Sequence, residues 1–366
     1  MGNEAGCLEN MVTGELNKFY RDKKIFLTGH TGFKGSWMLA WLTSIGATVK
    51  GYALSPLHPE DLYNVIGGDE ISASVIADIR DREKLTAEIR DFQPDLVFHL
   101  AAQPLVRASY ESPAATFEVN TMGTVNVLEA IRGLEKKCSV VIVTTDKVYR
   151  NEESGRAYRE SDQLGGFDPY SASKAAAEIV CESYRNAFFH PSKYHVHQKA
   201  AASARAGNVI GGGDWNQDRI FPDIVKALQK KEKIIVRNPN AVRPWQHVLE
   251  PISAYLLLGK KLHESPAAFS SAWNFGPENN DTLSVKEIVE LAIKSWGEGA
   301  YDCPAMQEQP HEATLLSLDI SKAKDELKWM PKYSTPEAVD RTMQWYRQPA
   351  SARKEFTYLQ LNDYRN

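Results

Sequence analysis

The chain has 366 residues, with 43 lysines and arginines against 47 aspartates and glutamates and a formal net charge of −4. This near balance, with no basic block among aromatic residues, excludes an extended nucleic-acid-binding face, and no apolar run approaches the roughly 18 residues that span a membrane. The N-terminus lacks the charged-then-apolar order of a signal peptide, so we expect a soluble, cytoplasmic protein without a nucleic-acid or membrane partner.

Short apolar runs alternate with longer helical patterns from Lys24 onward, after a polar extension over residues 1–22. The predicted strands are KIFLTG, TVKGYAL, ASVIADI, DLVFHLAA and CSVVIV, and the predicted helices are GSWMLAWLTSIG, DREKLTAEIRDF, TFEVNTMGTVNVLEAIRG and YSASKAAAEIVCESYRNAFF. Such alternation is typical of a parallel sheet covered by helices on both faces. We therefore predict an α/β fold with a Rossmann-type, doubly wound domain over residues 23–207.

The character of the sequence changes after a further predicted strand that ends in ARAGNVIG. A GGGDW loop follows, then basic and proline-containing segments and helices separated by long connections. Insertions beyond the carboxyl edge of such a sheet usually hold the second ligand. We predict a smaller, discontinuous α/β substrate domain over residues 208–350, with segments that return to the first domain, and a C-terminal tail over residues 351–366.

A glycine-rich turn follows the first predicted strand in IFLTGHTGFKGSW. Glycine permits the tight turn, the approach of backbone to a pyrophosphate and close helix packing, while the helix N-terminus offers free N–H groups. The spacing GxxGxxG resembles that of the extended short-chain dehydrogenase/reductase superfamily. The cofactor-binding residues predicted here are Gly29, Thr31, Gly32, Phe33, Lys34 and Gly35.

The second predicted strand leaves the choice between NAD and NADP open. The acidic residue expected about 20 positions after the glycine turn is missing, and YALSP offers Ser55 instead. Asp78 resembles the superfamily residue near the adenine, although it has the alternative of capping the following helix. With it, the resemblance implies these further cofactor-lining residues: Ile79, Leu100, Ala101, Ala102, Gln103 and Thr144.

Tyr170 and Lys174 are four residues apart in DPYSASKAAAE, so both fall on one face of the predicted helix. An ammonium beside a phenol favours the phenolate, which makes tyrosine usable as a base near neutral pH. Thr145 ends the fifth predicted strand, at the carboxyl edge where such folds bind ligands. We predict a catalytic site of Thr145, Tyr170 and Lys174, in which Tyr170 and Lys174 also contact the cofactor.

The segment VTTDKVY, followed by YSASK with Tyr170 twenty-five residues after Thr145, resembles the nucleotide-sugar 4,6-dehydratases. In the dTDP-glucose branch of that family a glutamate follows the aspartate, whereas Lys147 follows Asp146 here, which resembles the CDP-glucose branch. The segments GHTGFKGSW, AAQPLVRASY, RAGNVIGGGDW and RPWQHV are also similar to that branch. The resemblance extends from Lys24 to about Tyr346.

This resemblance implies a lyase that converts CDP-glucose to CDP-4-dehydro-6-deoxyglucose and water, in the deoxysugar biosynthesis that serves lipopolysaccharide O-antigen. NAD would be the cofactor and would be regenerated in each turnover. Tyr170 would accept the proton of the 4-hydroxyl, and Asp146, protonated, would be the acid for the leaving 6-hydroxyl. Lys147 would either remove the C5 proton or stabilise the enolate by its charge.

The resemblance also indicates where the nucleotide sugar binds. Arg219 and Arg243 offer planar guanidinium donors that suit a diphosphate. The predicted substrate-binding residues are Gln103, Ser109, Thr145, Asn208, Arg219, Arg243 and Asn274. The helices at TFEVNTMGTVNVLEA and YSASKAAAEIVCESY could pair across a two-fold axis, as in the family's dimers, so we expect a homodimer or homotetramer.

Three alternative functions share parts of this pattern. Another nucleotide-diphosphate-glucose 4,6-dehydratase would differ in a few contacts to the base. A nucleotide-sugar 4-epimerase uses the same cofactor and the same Tyr/Lys pair, but it has no need of the Asp146-Lys147 pair. A non-catalytic, dinucleotide-sensing regulator need not keep Thr145, Tyr170 and Lys174 together.

The cysteines and histidines do not suggest a metal. Four cysteines lie far apart without a CxxC: Cys7, Cys138, Cys181 and Cys303. This spacing fits reduced thiols better than disulfides or zinc ligands. His195 and His197 alternate on what we predict to be one face of a strand, with no third ligand nearby in sequence, so we predict no metal site.

Overall fold

The computed structural model describes residues 14–152, 155–279, 281–304 and 316–366. Its largest element is a seven-stranded sheet, with strands β1 Lys24–Thr28, β2 Thr48–Ala53, β3 Ala73–Ile76, β4 Leu96–His99, β5 Cys138–Val143, β6 Lys199–Ala206 and β7 Ala272–Phe275. The strand order is β7-β6-β5-β4-β1-β2-β3, and every pair of neighbours is parallel. The order reverses between β1 and β4, which opens a ligand-binding crevice at their carboxyl ends.

Two apolar cores lie against the two faces of this sheet. Along β1, Ile25 and Leu27 belong to one core and Phe26 belongs to the other, as the alternation of side chains along a strand requires. All six residues of β5 and all eight of β6 are buried. Strands that are buried on both faces need helices on both faces, so the predicted Rossmann-type, doubly wound α/β fold is confirmed.

Helices connect the strands. The α-helices are Phe33–Ser44, Leu62–Ile66, Gly68–Ile71, Arg82–Phe92, Val106–Glu111, Pro113–Phe117, Gly123–Arg132, Pro169–Ala187, Tyr194–His197, Ile220–Lys230, Leu249–Glu264, Pro266–Phe269, Val285–Trp296, Thr335–Arg347 and Arg353–Arg365. The 3₁₀ turns are Asp146–Val148, Pro191–Lys193 and Ala350–Ala352. Two π turns, Glu118–Met122 and Ala323–Leu327, complete the set, and the first of them interrupts the helix predicted over residues 116–133.

Three small, two-stranded sheets lie outside the main sheet. They pair Val209–Ile210 with Gln246–His247, Val242–Arg243 with Leu283–Ser284, and Ile234–Ile235 with Tyr301–Asp302. Between Gln246–His247 and Leu283–Ser284 the chain returns to the main sheet, where β7 pairs with β6. The division into a cofactor domain and a substrate domain stays a prediction.

Both chain ends contribute more structure than the sequence indicates. Residues 14–20, within the extension predicted to lack a pattern, form a helix in which Leu16 and Tyr20 are buried. The predicted C-terminal tail is the helix Arg353–Arg365, whose Tyr364 hydroxyl donates a hydrogen bond to the buried Glu250 carboxylate at 2.8 Å. Neither helix was predicted, because a few apolar anchors among polar neighbours carry too weak a periodic signal, and the bounds of the extension and the tail stay predictions.

The histidine pair also differs from its prediction. His195 and His197 lie in the short helix Tyr194–His197, and not on a strand. Among the described residues, no group of three or more His, Cys, Asp or Glu side chains could hold a metal ion. In the same part of the chain, no helix is both long and apolar enough to cross a membrane. Cys138, Cys181 and Cys303 are free thiols, and the prediction for Cys7 lies outside the described residues.

Candidate active site

The glycine turn, residues 29–35, joins β1 to the helix Phe33–Ser44. Gly29 has a φ of +73°, and a Cβ there would lie 2.6 Å from the Ala101 amide nitrogen. A Cβ on Gly35 would collide with the Gly29 carbonyl oxygen, so both positions require glycine. Gly32 is exposed, and the nearest atom to a Cβ there is 3.4 Å away, so its surface is open to a ligand.

The helix that follows this turn offers free backbone donors. It begins after Gly32 without a side-chain cap and has no acidic residue in its first turn. Its first N–H groups and the positive end of its dipole therefore suit an anion. The open Gly32 cradle and the uncapped helix N-terminus fit the pyrophosphate of a dinucleotide.

The glycine turn forms one wall of a single large cleft of about 1660 Å³ at the carboxyl edge of the sheet. Many residues predicted to bind cofactor or substrate line it: Gly29, Thr31, Gly32, Phe33, Lys34, Gly35, Asp78, Ile79, Leu100, Ala101, Ala102, Thr144, Thr145, Lys147, Tyr170, Asn208, Arg219 and Arg243. Segments from the second half of the chain form the facing wall, among them residues 206–211 and 234–238. The structure thus brings the two predicted binding regions together.

Asp78 faces this cleft and does not cap the next helix. Its carboxylate forms an ion pair with Arg80, with 2.7 Å between Oδ2 and Nη2, and hydrogen bonds from Arg80 lower the pKa of Asp78. Asp81 is the residue that caps the helix Arg82–Phe92, through a 3.0 Å bond from the Lys84 amide. The alternative reading of Asp78 as a helix cap is therefore excluded.

The helix Pro169–Ala187, which we call the catalytic helix, positions Tyr170 and Lys174. It begins at a capping box in which Asp168 and Ser171 bond reciprocally, with proline at its first position. Tyr170 lines the cleft in the first turn. Lys174, one turn later, is 5% exposed, and its Nζ donates to the Val143 carbonyl at 3.1 Å.

Burial has the largest effect on the pKa of both Tyr170 and Lys174. It raises the pKa of Tyr170, while the charge of Arg219 and a hydrogen bond with Thr145 act in the opposite direction. Burial, helped by the nearby charge of Lys34, lowers the pKa of Lys174 to about 7. Arg219 and Thr145 therefore oppose the effect of burial without overcoming it, and the effect of Lys174 on Tyr170 stays a prediction.

Asp146 and Lys147 follow β5 in a 3₁₀ turn that Thr145 caps. The Lys147 Nζ lies 3.2 Å from Asp146 Oδ1, and the Thr145 hydroxyl donates to the same oxygen at 2.8 Å. Asn208, whose φ of 51° is unusual for a non-glycine residue, donates to Asp146 Oδ2 at 3.1 Å. Asp146 is fully buried beneath these groups, whereas Thr145 and Lys147 line the cleft.

Three predicted substrate-binding residues do not line the cleft. Asn274 is fully buried and bonds to the Tyr149 hydroxyl and to backbone carbonyls. Ser109 is also buried and donates to the Val106 carbonyl, and the Gln103 side chain bonds to Leu105 and Thr116. These side chains stabilise the loops around the site instead, because their hydrogen-bonding capacity is already used inside the protein.

A buried network beneath the site was not apparent from the sequence. Glu178, one turn after Lys174, accepts from the Thr144 hydroxyl at 2.5 Å and from Arg205 Nη2 at 2.9 Å. Arg205 in turn donates to the Tyr149 hydroxyl at 2.7 Å, and Tyr149 lines the cleft. The network ties the end of β5 to β6 and the catalytic helix. Only the position of Glu178, four residues after Lys174, could have indicated it.

Comparisons with known proteins agree with this geometry. The sequence model of the family described as GDP-mannose 4,6 dehydratase matches residues 26–342. A CDP-glucose 4,6-dehydratase from Salmonella typhimurium is 46% identical over 329 residues, 90% of this chain and 92% of that protein. A CDP-paratose 2-epimerase from Salmonella typhi is 27% identical, over 88% of this chain and 98% of that protein.

Solved structures share the fold. A double mutant of a dTDP-glucose 4,6-dehydratase from Streptomyces venezuelae, with NAD bound, has a TM-score of 0.75 at 23% identity and covers 91% of this chain and 99% of its own. A UDP-glucose 4-epimerase from Thermotoga maritima, with UDP-glucose, has a TM-score of 0.75 at 22% identity. That match covers 88% of this chain and 98% of the epimerase chain.

The fold and the site together define an extended short-chain dehydrogenase/reductase, with a glycine turn and a Tyr/Lys pair at the carboxyl edge of a parallel sheet. Within that class the match over residues 26–342 is more specific. The chain belongs to the GDP-mannose 4,6 dehydratase family.

Proposed function

We propose that the chain is a CDP-glucose 4,6-dehydratase, which converts CDP-glucose to CDP-4-dehydro-6-deoxyglucose and water. The observation that carries this proposal is the Asp146–Lys147 ion pair, 3.2 Å long, at the edge of a cleft that Tyr170 and the glycine turn also line. The 46% identity to the Salmonella enzyme supports the same substrate.

The first step is oxidation at C4. NAD, when bound, supplies the hydride acceptor for C4 and later the hydride donor for C6. Tyr170 accepts the proton of the 4-hydroxyl, and Arg219 with the Thr145 hydroxyl partly offsets the effect of burial, which raises the pKa of Tyr170. The resulting 4-ketone acidifies the hydrogen on C5.

Asp146 and Lys147 act as one unit in the elimination. In the resting ion pair the proton is on Lys147, and its transfer across the contact gives a neutral amine and a carboxylic acid. The amine takes the C5 proton, while the acid proton leaves with the 6-hydroxyl as water, which restores the ion pair. Because Asp146 is buried and Thr145 lines the cleft, the Thr145 hydroxyl passes this proton to the substrate.

Arginines that line the cleft bind the diphosphate. Arg219 and Arg243 line the cleft, as do Arg107 and Arg237, which the sequence did not single out. Arg237 and Arg107 both lie against Asp218, with Nη1–Oδ1 distances of 2.7 and 3.3 Å. This carboxylate holds the two guanidinium groups at the rim, and Arg237 also lies 3.7 Å from Asp223. Guanidinium groups fixed in this way suit a diphosphate.

The chain acts as a homodimer in this proposal. Apolar side chains are exposed on the two helical segments that were predicted to pair: Phe117 is 39%, Met122 51% and Ile179 58% exposed. Association of two copies through these segments removes that apolar surface from water.

The decisive experiment is incubation with CDP-, dTDP- and UDP-glucose, with detection of the 4-keto-6-deoxy product. We expect product from CDP-glucose without net reduction of the cofactor, and deuterium placed at C4 should appear at C6. A 4-epimerised hexose would identify an epimerase instead. Deuterium lost to solvent, or reduced cofactor that rises in step with product, would identify a simple dehydrogenase.

A further inference from the structure

Lys34 has an unusual environment for a residue of the glycine turn. A residue at this position binds a pyrophosphate through its backbone N–H, so its side chain has no required chemistry. Here the side chain is half-buried, lines the cleft and holds its Nζ 5.9 Å from the ring centroid of Tyr255. Among the described residues, no carboxylate lies within 4.0 Å of this ammonium and no side chain hydrogen-bonds to it.

The fold does not favour a cation at this position. Lys34 is the second residue of the helix Phe33–Ser44, where the helix dipole disfavours positive charge. Partial burial without a counter-ion disfavours the positive charge of Lys34 further. The surrounding charges include the cations Arg219 and Lys147 as well as the Asp146 carboxylate. A purely structural role therefore does not account for the lysine.

Among the described lysines of the site, Lys34 is the one whose ammonium has neither an ion pair nor a hydrogen bond. The charge of Lys147 is matched by Asp146 at 3.2 Å. The Lys174 ammonium donates a hydrogen bond to the Val143 carbonyl at 3.1 Å. The Lys34 ammonium has no such partner in the part of the chain that the structure describes, and burial lowers its pKa to about 8.

We propose that the Lys34 ammonium biases the cleft toward the reduced form of the cofactor and so promotes hydride removal from C4. This inference rests on the proposed function. The oxidised nicotinamide ring carries a positive charge, and it becomes neutral when it accepts a hydride with its two electrons, while the 4-hydroxyl proton goes to Tyr170. An unpaired ammonium on the same cleft wall repels the oxidised ring but not the reduced one.

The test is the ratio of the dissociation constants of NAD⁺ and NADH, measured by titration calorimetry without sugar. We expect Lys34→Met to lower the ratio Kd(NAD⁺)/Kd(NADH) by about tenfold, from the Coulomb energy of one charge at an intermediate dielectric constant. Lys34→Arg, which keeps the charge, should retain the wild-type ratio. The matched control is Lys84→Met, which removes an exposed lysine from the first turn of the helix Arg82–Phe92, outside the cleft.

The outcomes separate this inference from the proposed function. An unchanged ratio in Lys34→Met, with both cofactor forms still bound, would overturn the inference and leave the dehydratase proposal standing. A Lys34→Met variant that loses only its affinity for the sugar nucleotide would also overturn the inference, because Lys34 would then be a substrate-binding residue. A wild-type protein that binds neither cofactor form would overturn both.

Discussion

The Lys147 ammonium lies 3.2 Å from Asp146 Oδ1, so two neighbouring residues close the end of β5 with a single ion pair. Asp146 is buried and Lys147 reaches the cleft, so the pair connects the protein interior to the substrate space. A proton moved along this contact changes the charge of both partners without changing the net charge of the site.

Lys147→Met should oxidise C4 but eliminate water slowly, because the variant lacks the amine that takes the C5 proton. Enzyme-bound reduced cofactor should therefore accumulate on mixing with CDP-glucose, visible by its near-ultraviolet absorbance, and turnover should fall by about 100-fold or more. The matched control is Lys294→Met, at an exposed position. Native exchange of the C5 hydrogen in heavy water, with native product formation, would show that Lys147 is only a solvated strand end.

Tyr170→Phe should lose about 100-fold or more of the turnover, because it removes the base and little else. Thermal unfolding and NAD affinity should stay close to wild type. Tyr184→Phe is the control on the same helix, since its hydroxyl bonds to Glu129 at 2.7 Å, outside the cleft. A near-native rate in Tyr170→Phe would contradict the assignment of the base.

Lys174→Met should stabilise the protein without cofactor while it reduces activity. The folded-state pKa of about 7 lies below the ordinary value of 10.5, so the unfolded chain binds this proton more tightly. The cost is fully present below about pH 7 and disappears as the pH rises toward the unfolded-state value. The gain in free energy of unfolding should be about 1–3 kcal/mol at about pH 6 and should shrink by about pH 9. Denaturant titrations at both pH values measure it, and an equal or absent gain would contradict the burial argument.

Glu178→Gln should destabilise the protein by about 3–5 kcal/mol, because it leaves the buried Arg205 charge unpaired. Burial raises the pKa of Glu178, but Arg205 and the hydroxyls of Ser203 and Thr144 outweigh it and lower the pKa overall, so the wild-type group is a carboxylate. Glu182→Gln, exposed on the same helix, should change stability by less than about 0.5 kcal/mol. Equal denaturation midpoints for the two variants would show that the network contributes nothing.

The strands were the most predictable part of the fold. CSVVIV is apolar and rich in β-branched residues over its whole length, and all six residues are buried in β5. In an α/β protein such a run is typical of a strand that helices cover on both faces. The helix of residues 14–20 was missed because its buried residues, Leu16 and Tyr20, form too short a periodic pattern. His195 and His197 were misassigned because a spacing of two fits both a strand and a short turn of helix.

The site was predictable where spacing along one element fixes geometry. Tyr170 and Lys174 share a helix face, and Gly29 and Gly35 of the turn are required by the backbone itself. The residue type of Asn274 did not reveal that its side chain is buried, since an amide that suits a sugar hydroxyl also suits the Tyr149 hydroxyl inside the protein. The environment of Lys34 could not be read from sequence, because the charges around it come from two distant segments.

The helix Arg353–Arg365 also bears on how the chain folds in the cell. Tyr364 is synthesised 114 residues after Glu250, the buried carboxylate it contacts. At roughly 5–20 residues per second, a ribosome takes on the order of ten seconds to cover that interval. The main sheet is complete once β7 has emerged, but the Glu250 carboxylate lacks its Tyr364 partner until this helix has emerged. A nascent chain at that stage therefore presents an unfinished core.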